Sequence, residues 1–144
     1  MKMVMGSDHG GFELKEKLKR WLEKEGHSVE DLGCYSRESV DYPEYGAKVA
    51  RAVAGKKKIG IAICGTGIGI CMAANKIKKI RAALIHNEFT GRMAKEHNNA
   101  NVICLGGRTT SFAQAKKAVK AFLEAEFRGG RHARRVRKIM ALEK

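Results

Sequence analysis

Apolar positions along the chain gather into five short runs, separated by stretches in which they recur every three or four residues. The first run is MKMVM, Met1 to Met5. After it Leu14, Leu18, Trp21 and Leu22 repeat at helical spacing, while Lys15, Glu16, Lys19, Arg20 and Glu23 fill the opposite face. Gly26 is placed to stop that helix. A weaker second run, HSVEDL around Val29, leads through a polar loop at Ser39 to DYPEYGAKVARAV, where Pro43 suits the first turn of a helix. Ile59 to Ile63 is almost continuously apolar, as a strand covered on both faces should be. The glycine-rich CGTGIG follows, then the helix-like ICMAANKIKKI. RAALI, ending at Ile85, predicts a fourth strand, the stretch from Glu88 to about His97 a helix, and Val102 to Leu105 a fifth strand. Ser111 and Gln114 read as a capping box opening a helix through SFAQAKKAVKAFLEAEF. Gly129 and Gly130 set off a final basic helix, from about Arg131. Strands alternating with helices predict an α/β fold around a parallel sheet, without internal repeats.

Composition narrows this picture. A chain of 144 residues is expected to form one domain, residues 1–144, and its apolar runs are far shorter than the ~20 residues that span a bilayer. The N-terminal MKMVMGSDHGG is too short and polar for a signal peptide, so a cytoplasmic protein is expected. Cys34, Cys64, Cys71 and Cys104 form no CxxC pair and no metal-type spacing, which predicts reduced thiols, no zinc knuckle and no disulfide framework. Cys104, in NVICLGG, is expected to be an inert buried strand residue. The net charge of +14 favours anionic partners without saying which.

In parallel α/β sheets ligands bind beyond the carboxyl ends of the strands. Three loops there carry chemistry: Asp8 and His9 after the first strand, Cys64 to Gly69 after the third, and Arg108 after the fifth. GTGIG is not the dinucleotide fingerprint, because its third glycine comes one residue early, so no nicotinamide or flavin is expected. Its amides and the following helix N-terminus still suit an oxyanion and favour the thiolate of a cysteine placed there. Thr66 adds a hydroxyl. A plainer reading stands beside this one: Cys64 ends a strand, the glycines close a turn, Asp8 caps the first helix and His9 lies on the surface.

SDHGGFELK, DYPEYG, CGTGIGICMAANKIKKIRA, HNNANV, LGGR and GGRHARRV, in this order, closely resemble the ribose-5-phosphate isomerase B family, which has allose-6-phosphate and galactose-6-phosphate isomerase relatives. The resemblance spans essentially the whole chain. It implies a three-layer α/β/α Rossmann-like sandwich with five parallel strands, a dimer, and no metal or nucleotide cofactor. The implied reaction interconverts D-ribose 5-phosphate and D-ribulose 5-phosphate through an enediolate, in the non-oxidative pentose phosphate pathway. Cys64 would be the base moving a proton between C1 and C2, with Thr66 beside it. His97 would open the furanose ring, helped by Asp8. The backbone of Gly65, Thr66, Gly67, Ile68 and Gly69 would hold the enediolate. Tyr42 and Asn98 would contact sugar hydroxyls, and His9, Arg108, Arg131 and Arg135 the phosphate.

The physical chemistry agrees with these roles. Aldose–ketose isomerisation needs a base near the C2 proton and donors where charge develops on oxygen. Arg131 and Arg135, four apart, would share one helix face and could clamp a phosphate, although a solvated basic face is the plainer reading. His97 precedes the fifth strand whereas Cys64 ends the third. Five residues at ~3.3 Å put those sheet edges about 16 Å apart, too far for one sugar. Both residues can act together only across the subunits of a homodimer; pairing into tetramers is left open. Three readings compete with this isomerase. A six-carbon sugar phosphate is one. A sugar-phosphate-binding regulator is another, disfavoured by the presence of both Cys64 and His97. The third is a basic nucleic-acid-binding domain, against which RGGRHARRVRK carries no interleaved aromatic for base stacking.

Overall fold

A computed structural model of the chain describes residues 1–143 and contains five strands and six helices. The strands are β1 (Lys2–Ser7), β2 (Ser28–Asp31), β3 (Ile59–Cys64), β4 (Ala82–Leu84) and β5 (Val102–Gly106). The helices are α1 (Phe12–Lys24), α2 (Tyr42–Val53), α3 (Ile68–Ala74), α4 (Glu88–Glu96), α5 (Phe112–Glu124) and α6 (Arg131–Met140). All four strand pairings are parallel, in the order β2-β1-β3-β5-β4. The chain leaves β1 toward one side of the sheet and returns through β3 toward the other. The β1/β3 junction is therefore the switch point at which such folds hold ligands.

Alternation along the strands divides the core into two apolar layers. Met3, Met5, Ile61, Ile63, Ile103 and Leu105 point toward α1, α4 and α5, meeting Leu18, Leu22, Val119 and Phe122. Val4, Ala62, Cys64, Val102 and Cys104 point the other way, against Val49, Val53, Ile70 and Ala74 of α2 and α3. Cys64 thus projects on the α2/α3 side. The result is the expected three-layer α/β/α sandwich with its five parallel strands. Lys15 of α1 is fully buried, and its Nζ meets Asp31 at 2.7 Å and Glu16 at 3.1 Å.

Several boundaries differ from those the pattern predicts, and each has a local cause. Strand β1 runs on to Ser7, because that residue pairs with Ile63 and donates its N–H to the Gly33 carbonyl at 2.7 Å. Helix α3 stops at Ala74, since the Asn75 side chain turns to grip Ala82, accepting its N–H at 2.8 Å and donating to its carbonyl at 2.9 Å. Helix α5 stops at Glu124. The segment after it is drawn to α4 through the Arg128 N–H, which donates to the Glu96 carbonyl at 3.0 Å. Only half of the capping box at α5 forms: Ser111 Oγ accepts the Gln114 N–H at 3.2 Å, and no return bond from Gln114 is seen. The reciprocal box lies instead at α4, between Asn87 and Thr90. Among the described residues, no helix is long and apolar enough to cross a membrane.

Candidate active site

Three βα turns meet over the β1/β3/β5 edge. The β3 turn is held from below by β5: the Gly107 N–H donates to the Cys64 carbonyl at 2.8 Å, and the Arg108 N–H to the Gly65 carbonyl at 2.9 Å. The β1 turn abuts it so closely that a Cβ on Gly10 would lie 3.0 Å from the Gly65 nitrogen. A Cβ on Gly107 would in turn collide with the Gly10 carbonyl oxygen. Side chains are excluded from this junction, which explains the small residues in the DHGG, CGTGIG and LGGR segments.

Within the turn, Gly67 takes φ +79°, a conformation that L side chains rarely adopt, and so delivers its N–H to the sulfur of Cys64 at 3.1 Å. Cys64 exposes 4 % of its surface. The sulfur thus lies at the mouth of a helix with a backbone N–H pointed at it. Thr66 is exposed, and its Oγ1 accepts the Ile68 N–H at 3.2 Å. Two of the amides counted as oxyanion donors, those of Gly67 and Ile68, are thus engaged within the turn. The next two N–H groups in the first turn of α3, from Gly69 and Ile70, have no intrahelical acceptor.

The flanking residues arrive from three loops. Tyr42 opens α2 and lies against Gly69, where a Cβ would meet its ring and come within 2.8 Å of its hydroxyl. Arg108 folds back over Gly65, its Nη1 2.8 Å from where a Cβ would stand. Asp8 is 6 % exposed and accepts the Gly11 N–H on Oδ1 at 3.1 Å, so it orders the turn that begins α1 while lying in the site. His9 accepts the Val40 N–H on Nδ1 at 3.1 Å.

His97, Asn98, Arg131 and Arg135 are elsewhere. Register pairs Gly60 with Val102 and Cys64 with Gly106, so the connection carrying His97 and Asn98 into β5 lies at the opposite edge of the sheet from Cys64. Arg131 and Arg135 go with that second cluster, not with His9 and Arg108. Helix α6 buries His132, whose ring stacks on His97 with centroids 4.1 Å apart and an interplanar angle of 11°. Burial pushes the His132 imidazole below its usual range, and His97, Arg131, Arg135 and Arg128 add repulsion. Among the described residues no group of three His, Cys, Asp or Glu is placed to hold a metal ion.

Sequence reasoning missed His132 and Val40. His132 was visible as part of GGRH, but its contact with His97 depends on how α6 docks. Val40 contributes only a backbone N–H, which no side-chain pattern signals. Cys104 is fully buried, as expected. Its thiol is pushed well up, first by a hydrogen bond with Cys71 and then by burial, while the same bond draws Cys71 down.

Comparison with known proteins places this arrangement. Residues 3–139 match the Ribose/Galactose Isomerase family. Ribose-5-phosphate isomerase B of Escherichia coli is 43% identical over 143 residues, covering 99% of this chain and 96% of that protein. A structure of the Clostridium thermocellum ribose-5-phosphate isomerase B superposes with a TM-score of 0.97 at 50% identity, covering 99% of this chain and 97% of the other. The Mycoplasma genitalium ribose-5-phosphate isomerase B, solved with bound ribulose-5-phosphate, gives 0.95 at 43% identity, over 99% of this chain and 95% of that one. Full-length agreement in both sequence and fold leaves one assignment, and the chain belongs to the ribose/galactose isomerase family.

Proposed function

We propose that this protein interconverts D-ribose 5-phosphate and D-ribulose 5-phosphate. The observation that carries the reading is the Cys64 sulfur, fixed by the Gly67 N–H beside a helix N-terminus in a chain of this family. The relatives named for the same reaction, one of them with ribulose-5-phosphate bound, support it.

In the proposed reaction Cys64, as thiolate, removes the proton from C2 of the open-chain aldose. The electron pair moves into a C1–C2 double bond, and negative charge develops on the carbonyl oxygen. Unpaired amides at the start of α3, with the hydroxyl of Thr66, stabilise that enediolate; one such preorganised donor is worth roughly 3 kcal/mol. Transfer of the hydroxyl proton from O2 to O1, with return of the carbon-bound proton to C1, gives the ketose. Tyr42 and Asn98 hold sugar hydroxyls. His9, Arg108, Arg131 and Arg135 hold the phosphate, and His97 with Asp8 opens the ring.

Since Cys64 and His97 occupy opposite sheet edges of one chain, we assign the complete site to a homodimer. One protomer contributes Cys64, Thr66, Asp8, His9, Tyr42 and Arg108, and its partner His97, Asn98, Arg131 and Arg135. Ile68 and Met72, four apart on α3, stand 54% and 64% exposed, an apolar face suited to such contact. A working thiol favours a reducing compartment, and we assign the reaction to the cytoplasm.

Purified protein assayed with ribose 5-phosphate in the presence of a chelator tests the chemistry. Cys64→Ala should lower turnover by about 10²–10⁴-fold, the contribution of a positioned base. Undiminished turnover would overturn its role. Faster reaction with allose 6-phosphate or galactose 6-phosphate would move the substrate to six carbons.

A further inference from the structure

The β1–α1 turn leaves the His9 backbone little freedom. Asp8 Oδ1 takes the Gly11 N–H, the Asp8 N–H bonds the Ile63 carbonyl at 3.2 Å, and Gly10 packs against the Gly65 nitrogen. The ring of His9 is held separately, by a residue thirty-one positions away: the Val40 N–H donates to Nδ1 at 3.1 Å. A nitrogen that accepts a hydrogen bond carries no proton, so in the neutral ring the proton resides on Nε2.

We infer that Val40 is a positioning residue for phosphate binding, its backbone N–H locking His9 in the Nε2–H tautomer so that the free ring nitrogen is always a donor. This rests on the phosphate role given to His9 above. An unlocked imidazole would divide between two tautomers and two ring orientations. Some of these would present a bare nitrogen to the phosphate oxygens, lone pair against lone pair. The lock removes those states before substrate arrives, which is preorganisation of a binding group. Val40 also lies two residues before Tyr42, so the segment that fixes the phosphate-side donor leads directly into the residue lying on Gly69. A displaced Val40 is therefore expected to disturb both ends of the bound sugar phosphate.

Two measurements test this. Long-range ¹H–¹⁵N spectra of the full-length protein in mildly alkaline buffer, with His9 assigned by comparison with His9→Gln, should show a pyridine-type Nδ1 and a pyrrole-type Nε2. In Val40→Pro, which lacks the donor, the His9 signals should move toward the averaged pattern of a free imidazole. A proton on Nδ1 in the wild-type ring, or unchanged His9 signals in Val40→Pro, overturns the lock. The second measurement is kinetic. His9→Gln, whose amide nitrogen can reach the position of Nε2, should keep KM within about threefold, whereas His9→Asn, which mimics Nδ1, should raise it about tenfold, the value of one hydrogen bond to a charged group. The reverse order overturns the inference. The expected tautomer combined with an unchanged KM in His9→Ala would instead refute the phosphate role while leaving the lock standing.

Discussion

At Gly67 a single backbone angle decides whether an N–H reaches the sulfur of Cys64, the proposed base. With φ at +79°, a β-carbon there would also stand 2.6 Å from a methyl of Leu84 and 2.9 Å from the Leu105 carbonyl oxygen. Gly67→Ala should therefore cost about 2 kcal/mol or more in a denaturant titration, and remove most activity, because the N–H that meets the Cys64 sulfur would turn away. The sequence shows the glycine, and the turn it implies, without showing which amide meets the sulfur. His132 supplies a different handle at this scale. Its folded-state value lies below the ordinary histidine value of 6.5, so the unfolded chain takes up that proton first as pH falls. The stability it contributes is present above about 6.5 and is lost as pH drops through that value toward the folded one. Melting temperature should fall across this window, and less steeply in His132→Asn.

Among the elements, α1 and β2 are joined by the ion pair of Lys15 with Asp31. The Asp31 carboxylate also accepts the Gly33 N–H at 2.9 Å and lies 3.6 Å from Lys19. Asp31→Ala leaves a buried ammonium with Glu16 as its remaining carboxylate and should cost about 3–5 kcal/mol, whereas Lys15→Met leaves Asp31 its other partners and should cost less. Chemical denaturation midpoints would reveal the order. Element identity was largely legible, because buried parallel strands write themselves as apolar runs and half-buried helices as periodic ones. Their ends were not legible where tertiary bonds decide them: Asn75 cuts α3 short by gripping Ala82, and Arg128 draws the chain off α5 toward Glu96. Gly26, Pro43 and the Gly129–Gly130 pair are legible in the sequence because their effect is confined to their own backbone.

For the molecule as a whole, the proposed sharing of the site between two sheet edges makes a quantitative demand. Cys64→Ala and His97→Asn should each be inactive alone, yet unfolding and refolding them together should restore activity. Random pairing yields half mixed dimers, each with one intact site of two, so about a quarter of wild-type activity should return. Recovery of none would argue that the two residues do not meet across a subunit interface. This separation was legible in the sequence, since topology alone sends αβ and βα connections to opposite edges. That Arg131 and Arg135 travel with His97 was not, because nothing in a basic run says where its helix docks.

The junction of Gly10, Gly65 and Gly107 has a consequence over longer times. It is a hub of main chain against main chain, and the one shape available to it does not depend on which aliphatic residues fill the layers beneath. Drift in those layers can proceed through many generations without altering the spacing of the three turns. Novelty in what the protein accepts would then fall to the rim of the hub, at exposed positions such as Thr66, where a changed side chain alters the proposed site without displacing the three turns.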